Sequence, residues 1–329
     1  MADTAPTTTE HTGQDPAQAI ARDALRLGVG GRLPTTVHYQ EALAVGSGTV
    51  QKALRRLRAD GALSLVARGH QGTFITESDT ALLWTAARLA PVHLLLPPNA
   101  PPESLRVALG VADVFTGVGA LTTVGHLRGA EPRLRALGEG RADLTLMSAG
   151  AAADLLGDGA RAGHRALRLA TGSYYAPGSL AVVRRAAAPP AAGGRPRIGI
   201  DPRSDDHQRL TRAQFPPGTA EYVETDFTHV PRAVLLGEID AGVWHTVDSL
   251  IPLDAAGLAV SPLTRPEALA LADAISPAVV VATADSIPGV LLERAAGQGA
   301  LAALPAGGSL AALAPLPDPL RLRLDTTAR

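Results

Sequence analysis

The sequence predicts an α/β chain in two unequal parts: three helices and a hairpin, then a larger two-lobed α/β domain. Three observations predict it. From Ala17 onward apolar residues recur at helical spacing and lead into a glycine-bracketed hairpin turn. Past Glu77, apolar strands alternate with helix-compatible stretches, the pattern of an α/β domain. A helix end at Gly, a turn and an Asp before an apolar strand occur twice, once in each half of that domain.

The balance of Lys+Arg 30 against Asp+Glu 31 over 329 residues excludes a polycation, so any nucleic-acid contact must come from a local patch. The absence of cysteine excludes a disulfide scaffold, a thiolate zinc site, an iron–sulfur cluster and a cysteine nucleophile. The start, Met1 to Glu10, lacks the basic and apolar runs of a secretory signal. The apolar stretch Ala278 to Leu292 is broken by Asp285 and Pro288, short of the roughly 20 residues a bilayer span needs. The expectation is a cytoplasmic protein without a membrane segment.

Residues 1-16 are Thr, Ala, Pro and Asp without apolar periodicity and read as a disordered arm. In the next segment, 17-77, Ile20, Ala24 and Leu27 share a helical face, and Gly28 to Gly31 stops that helix. A second helix fits Thr36 to Leu43. A third fits Ser47 to Asp60, where Val50, Ala53, Leu54 and Leu57 form the inner stripe and Gln51, Lys52, Arg55 and Arg58 point away. Leu63 to Ala67 and Thr73 to Thr76 read as strands joined by Arg68-Gly69-His70-Gln71-Gly72. This is the element order of a winged helix-turn-helix. Between Ser47 and Gly72, Lys52, Arg55, Arg56, Arg58 and Arg68 stand against Asp60 alone, which supplies the local patch.

Residues 78-90 read as a linker helix, and 91-329 as the two-lobed domain. Strands are expected at Val92 to Leu96, Asp143 to Met147, Leu180 to Val183, Arg197 to Ile200, Ala241 to Trp244 and Ala278 to Ala282. Helical stretches fit Pro102 to Val111, Pro132 to Leu137 and Val230 to Leu236, so the sheet is expected to be largely parallel. The Pro/Ala/Gly stretch Ala186 to Pro196 reads as a surface linker between lobe 1 (91-185 and 278-329) and lobe 2 (196-277). Leu137-Gly138-Glu139-Gly140-Arg141-Ala142-Asp143 and Leu236-Gly237-Glu238-Ile239-Asp240 echo each other, as two lobes or as coincidence.

From Gly31-Arg32-Leu33-Pro34-Thr35 through Val45-Gly46-Ser47-Gly48-Thr49-Val50, and on to Ala53-Leu54, Leu57, Gly61 and Gly72-Thr73-Phe74-Ile75, the sequence resembles a GntR-type winged helix-turn-helix. The resemblance implies a bacterial transcription regulator that binds double-stranded operator DNA as a homodimer. Two departures stand out. Gly46-Ser47 replaces the common Ser-Arg, removing a usual DNA-contacting arginine, and the turn Arg68 to Gly72 is longer than the common Gly-Arg-Gly. With its α/β C-terminal part the chain most resembles the YhfZ-type branch, whose effector half looks like a type 2 periplasmic-binding-protein fold. The residues that carry this are His126 to Glu131, Asp143 to Ser148, and Gly199-Ile200-Asp201 with Ser204.

A recognition helix suits the major groove because outward side chains reach base edges while the inner face stays packed. Ser47 or Gly46 caps that helix, and its free amides favour a phosphate. Gln51 matches adenine, Lys52 and Arg55 match guanine or phosphate, and Arg68 and His70 on the wing face the minor groove. Arg32, Thr35 and Thr49 complete the DNA-facing set, and Arg56 supports backbone contacts. The bland alternative is a solvated basic helix face.

An effector is expected where strand ends and helix N-termini converge. That selects Ser148, Asp201, Ser204 and Trp244, with Ser173 and Tyr174 at the inter-lobe crossing and Arg128 for a carboxylate or phosphate of an anionic effector. Each has a structural alternative: Ser204 as a helix cap, Trp244 as core, Arg128 as a surface residue. Adjacent Asp205, Asp206 and His207 do not converge as metal ligands, so no metal and no cofactor is expected. The chain lacks a zinc-protease helix motif, a phosphate loop and a dinucleotide fingerprint, so the expectation is a metabolite-sensing regulator and not an enzyme. A ligand-free dimerisation scaffold, or an α/β enzyme fused to the DNA-binding part, are the other readings.

Overall fold

The structure, a computed structural model, describes residues 15–157, 163–187, 194–246, 252–299 and 301. Helix α1 (Pro16–Leu27) begins where the Asp15 carboxylate accepts the Ala17 amide at 3.0 Å, and it ends at Gly28 with φ 71. Pro16 occupies the first turn, where its missing N–H costs nothing, so the helix begins one residue earlier than its apolar pattern. The remainder of the expected arm lies outside the described residues.

Strand β1 (Arg32–Leu33) leads into α2 (Thr36–Leu43), and Ala44 turns the chain with φ 52 toward α3 (Ser47–Ala59). Strands β2 (Leu63–Ala67) and β3 (Thr73–Ser78) flank a 3-10 turn at Gly69–Gln71. The wing sheet has the order β1-β3-β2, antiparallel throughout. Helix α4 (Thr80–Ala86) follows, capped by Asp79, inside the segment expected to be a linker helix.

The α/β part runs β4 (Val92–Leu96), α5 (Pro102–Thr116), β5 (Thr122–His126), α6 (Ala130–Gly138), β6 (Leu144–Ser148), α7 (Ala149–Leu156), β7 (His164–Arg168) and β8 (Leu180–Arg185). It continues with β9 (Arg197–Ile200), α8 (Asp205–Gln214), β10 (Glu221–Glu224), α9 (Val230–Leu236), β11 (Ala241–His245), β12 (Leu258–Pro262), α10 (Pro266–Ile275), β13 (Ala278–Thr283) and α11 (Ile287–Gly297). Two compact units result. The first joins the helix-turn-helix module and the chain up to Asn99 to Val107–Leu169 and the stretch from Val279; the second comprises Ala100–Arg106 and Ala170–Ala278.

Each unit holds one five-stranded sheet, in the order β5-β4-β6-β13-β7 and β10-β9-β11-β8-β12 respectively. The expectation of a largely parallel sheet is corrected. Strand β4 runs parallel to β5 and β6, and β9 parallel to β10 and β11, but β13 pairs antiparallel with β7, and β8 antiparallel with β11 and β12. The lobe boundary is corrected as well. Because β8 is hydrogen-bonded into the second sheet, the chain leaves the first unit after Leu169, and the Ala186 to Pro196 stretch joins two strands of one sheet. Residues 188–193 of that stretch lie outside the described residues.

The sequence echo is a repeated local device. In the first unit the Asp143 amide donates to the His93 carbonyl at 2.9 Å while the Asp143 carboxylate accepts the His93 amide at 2.8 Å. In the second, Asp240 does the same with Arg197 at 2.8 Å in both directions. Each Asp thus locks the start of one strand to the start of its parallel neighbour and sets their register. The first core is built on Leu95, Leu137, Met147, Val279 and Val281; in the second unit Val182, Leu210 and Val243 form one cluster and Val183, Val234 and Ile239 another.

His207 ties the second unit together. Its Nδ1 accepts the Asp201 amide at 3.0 Å, which fixes the proton on Nε2, and Nε2–H donates to the Val243 carbonyl at 2.9 Å. Burial lowers its pKa, so the ring is neutral in the fold. A depressed pKa contributes stability that is full above the unfolded value, about 6.5, and is lost as pH falls through the lower folded value. His207→Gln is therefore expected to melt about 2–4 kcal/mol less stably at pH 7.5, since two buried backbone groups lose partners. Its loss of stability toward pH 5 should be shallower than that of the parent, read by calorimetry across the same buffers.

Candidate functional site

Helix α3 buries Val50, Ala53 and Leu57 and leaves Ser47, Thr49, Gln51, Lys52, Arg55, Arg56 and Arg58 exposed. Its N-cap is Gly46, which brings no side-chain acceptor, so the start of the helix is open to an outside anion. Ser47 is the first helical residue and not the cap. Thr35 is engaged locally: its hydroxyl accepts the His38 amide at 3.1 Å and caps α2.

The wing carries the rest of the basic surface. Arg68 lies over the Phe74 ring at 4.9 Å, and His70 is exposed in the 3-10 turn. Arg32 crosses to the base of the turn, where a Cβ on Gly72 would stand 2.6 Å from its Nε; with φ 99, that position takes glycine on two counts. Arg56 reaches Asp60 at 3.7 Å, which suits a supporting role. Among the described residues Arg32, Lys52, Arg55, Arg58 and Arg68 have no ion-pair partner.

The residues expected to bind an effector are divided between the two units. Arg128 and Ser148 belong to the first unit, while Ser173, Tyr174, Asp201, Ser204 and Trp244 belong to the second. Most of them do structural work. Ser148 caps α7 by accepting the Ala151 amide at 3.1 Å, and Ser204 caps α8 by accepting the His207 amide at 3.3 Å. Asp201 is 1% exposed and accepts the Arg203 and Phe227 amides at 2.9 and 3.1 Å. Ser173 donates to the Ala170 carbonyl at 2.6 Å and accepts the Ala278 amide at 2.8 Å. Tyr174 is buried and meets Tyr175 edge-on at 4.7 Å. Arg128 is half-buried before α6.

Ser204 and Trp244 do share a cavity, inside the second unit, with Tyr175, His207, Phe227 and His245. The rings follow one another: Tyr175 to His245 at 6.2 Å, His245 to Phe227 at 5.6 Å, Phe227 to His207 at 5.9 Å, and Trp244 stacked on His245 at 5.7 Å. The space open to the centre of a water molecule is about 10 Å³, which holds one water and no metabolite. Trp244, also part of a core cluster, is thus both core and cavity wall.

Sequence reasoning missed the start of α5. Ser104 is 0% and Arg106 7% exposed, and Ser104 Oγ, Arg106 Nη1 and Glu103 Oε2 are buried without a hydrogen-bond partner among the described residues. Leaving such groups unsatisfied is expensive, so they mark a place where a polar ligand or water belongs. The available signal was Pro101-Pro102-Glu103-Ser104, a helix start following a buried strand, with an arginine beside the apolar residues Val107, Ala108 and Val111. No cluster of three or more His, Cys, Asp or Glu among the described residues can hold a metal, and no described helix is long and apolar enough to cross a membrane.

Comparison with known proteins follows the same division of the chain. Residues 28–75 match a model described as a helix-turn-helix domain. The uncharacterized protein YhfZ of Escherichia coli (strain K12) is 27% identical over 276 residues, covering 84% of this chain and 87% of that protein. The crystal structure of YhfZ from Shigella flexneri aligns with a TM-score of 0.48 at 25% identity, over 69% of this chain and 93% of that one. Full-length OxyR from Pseudomonas aeruginosa aligns with a TM-score of 0.45 at 13% identity, over 92% and 100%. The match to the YhfZ C-terminal domain model spans residues 79–293, well over half of the sequence, and the chain belongs to that family.

Proposed function

We propose that the protein is a cytoplasmic, homodimeric transcription regulator of the GntR type that reads operator DNA with α3 and the wing, and whose α/β part senses a small anionic metabolite. The observation that carries it is the unpaired basic surface of Arg32, Lys52, Arg55, Arg58 and Arg68 on a helix-turn-helix module. Such a surface suits phosphates and guanine edges, and two-fold operators call for two copies of the module. The metabolite reading is supported by the buried, unsatisfied Ser104 and Arg106 at the start of α5, where helix amides and a guanidinium both favour negative charge.

Ligand and operator affinities then change each other by one and the same factor, typically worth about 1–3 kcal/mol. The reading includes no catalytic step. A second reading, in which the α/β part is a ligand-free dimerisation scaffold, is favoured by the structural hydrogen bonds of Ser148, Ser173 and Ser204.

With an operator selected from random duplexes, Arg55→Ala should bind more weakly and reduce the slope of log affinity against log salt by about one unit. Equal slopes for variant and parent in an anisotropy titration exclude the contact. In a thermal-shift screen of amino acids, phosphonates and small organic acids, a sensed compound at about 100 times its Kd should add about 2.7 kcal/mol. That stabilisation should vanish in Arg106→Gln; turnover of the compound would make the part an enzyme, and silence across the screen selects the scaffold.

A further inference from the structure

Helix α11 follows β13 of the first five-stranded sheet, buries Ile287, Pro288, Gly289, Leu291 and Leu292, and packs against α1 of the helix-turn-helix module. The contact is made by a guanidinium fork. Arg294 Nη1 donates to the Leu25 carbonyl at 2.6 Å, and Nη2 donates to the Arg26 carbonyl. These are carbonyls at the C-terminal end of α1, the negative pole of the helix, which its own backbone leaves without partners. At the opposite end of α11, Arg26 Nε donates back to the Asp285 carbonyl at 3.3 Å. Gly28 makes room for the fork: a Cβ there would lie 2.9 Å from Arg294 Cζ, and its φ of 71 disfavours any other residue.

Helix α1 passes the constraint on. It packs against α3 and α4, and Asp23 on α1 accepts the Tyr39 hydroxyl of α2 at 2.9 Å. Arg294 is paired with no carboxylate among the described residues, in contrast to its neighbour Arg165, whose Nη1 meets Glu293 at 2.6 Å. Its donors are thus committed to α1.

We propose that Arg294 is a positioning residue that clamps the helix-turn-helix module to the first α/β lobe in one fixed orientation, so that the pose of α3 is set by α11. The clamp itself is independent of the DNA-binding reading; its use in regulation rests on that reading. The chain contains no cysteine, so spin labels can be placed at Glu41→Cys and Leu121→Cys, both exposed, to report the distance between module and lobe. The parent should give a single narrow distance distribution. Arg294→Met keeps the apolar stem but no donor, and should give a broad one, while amides from Ala24 to Gly28 exchange about 5- to 30-fold faster. Arg294→Lys, with a single ammonium in place of the fork, should give an intermediate width. A Met variant as narrow as the parent, or a Lys variant indistinguishable from it, overturns the clamp. Parent binding to a random-sequence duplex is measured alongside; its absence would overturn the DNA-binding reading and leave the distances as they stand.

Discussion

The burial of α1 is the constraint on which the first unit depends. Ile20, Ala21, Ala24 and Leu25 are 0% to 1% exposed, a stripe wide enough to meet α3, α4 and α11 at once. A helix of 12 residues is marginal alone in water, so its order comes from what it packs against. Burying Ile20 and Leu25 contributes about 1.5–3 kcal/mol each, comparable to the contribution of its caps and side-chain ties together. The same burial that holds the helix therefore also orients the face that α3 presents.

The α/β part solves one packing problem twice. In each unit three parallel strands are linked by helices, and the other two positions of the sheet are taken by strands that pair antiparallel, β13 with β7 and β8 with both β11 and β12. Asp143 and Asp240 set the register at equivalent places, but the strand ends that result are furnished differently. In the first unit Ser148 caps α7 there. In the second, His207, Phe227, Trp244 and His245 fill the space with rings, in a chain with only 3% aromatic residues. Shared geometry with different furnishing is how one scaffold carries different recognition chemistry.

What the sequence disclosed follows from burial. Helices α2, α3 and α9 and strands β4 and β9 are legible at their observed limits or within a residue of them, because an apolar stripe or run has sharp ends. The unrecognised strands of the α/β part are β5, β7, β10 and β12, the outer strands of the two sheets. Thr122-Thr123-Val124-Gly125-His126 and Glu221-Tyr222-Val223-Glu224 lack an apolar run because one side of an edge strand has no neighbour to bury it. Strand β1 is two residues long and shows no period at all. The exposed basic face of α3 was legible since its residues point outward from a regular helix. At strand ends Ser and Asp are as useful for capping a helix as for holding an effector, and their hydrogen bonds, such as Ser148 to the Ala151 amide, are not written in the sequence. Arg106 was hidden because burial of a single polar side chain leaves no mark in a sequence.

Arginine supplies nearly all the positive charge of this chain, since Lys52 is its one lysine, and the partners of each arginine separate scaffold from interface. A planar fork spans two neighbouring carbonyls, which an ammonium cannot do with fixed geometry. Arg294 uses it on Leu25 and Arg26, and Arg197 uses it on Gly237 and Glu238 at the end of α9. Arg185 adds the Val234 carbonyl, Arg165 that of Ala284, and Arg133 that of Leu127. Those guanidiniums are spent on closing helix ends and joining strands, and replacing them disturbs the fold before it touches any ligand. Arg32, Arg55, Arg58 and Arg68 lie instead on the helix-turn-helix module, exposed and without ion pairs among the described residues. Exposed arginines without an ion pair occur on the α/β part as well, among them Arg168, Arg184 and Arg203, so what distinguishes the module is the density of such cations on α3 and the wing, and an electrostatic footprint for a polyanion follows from that clustering and not from net charge.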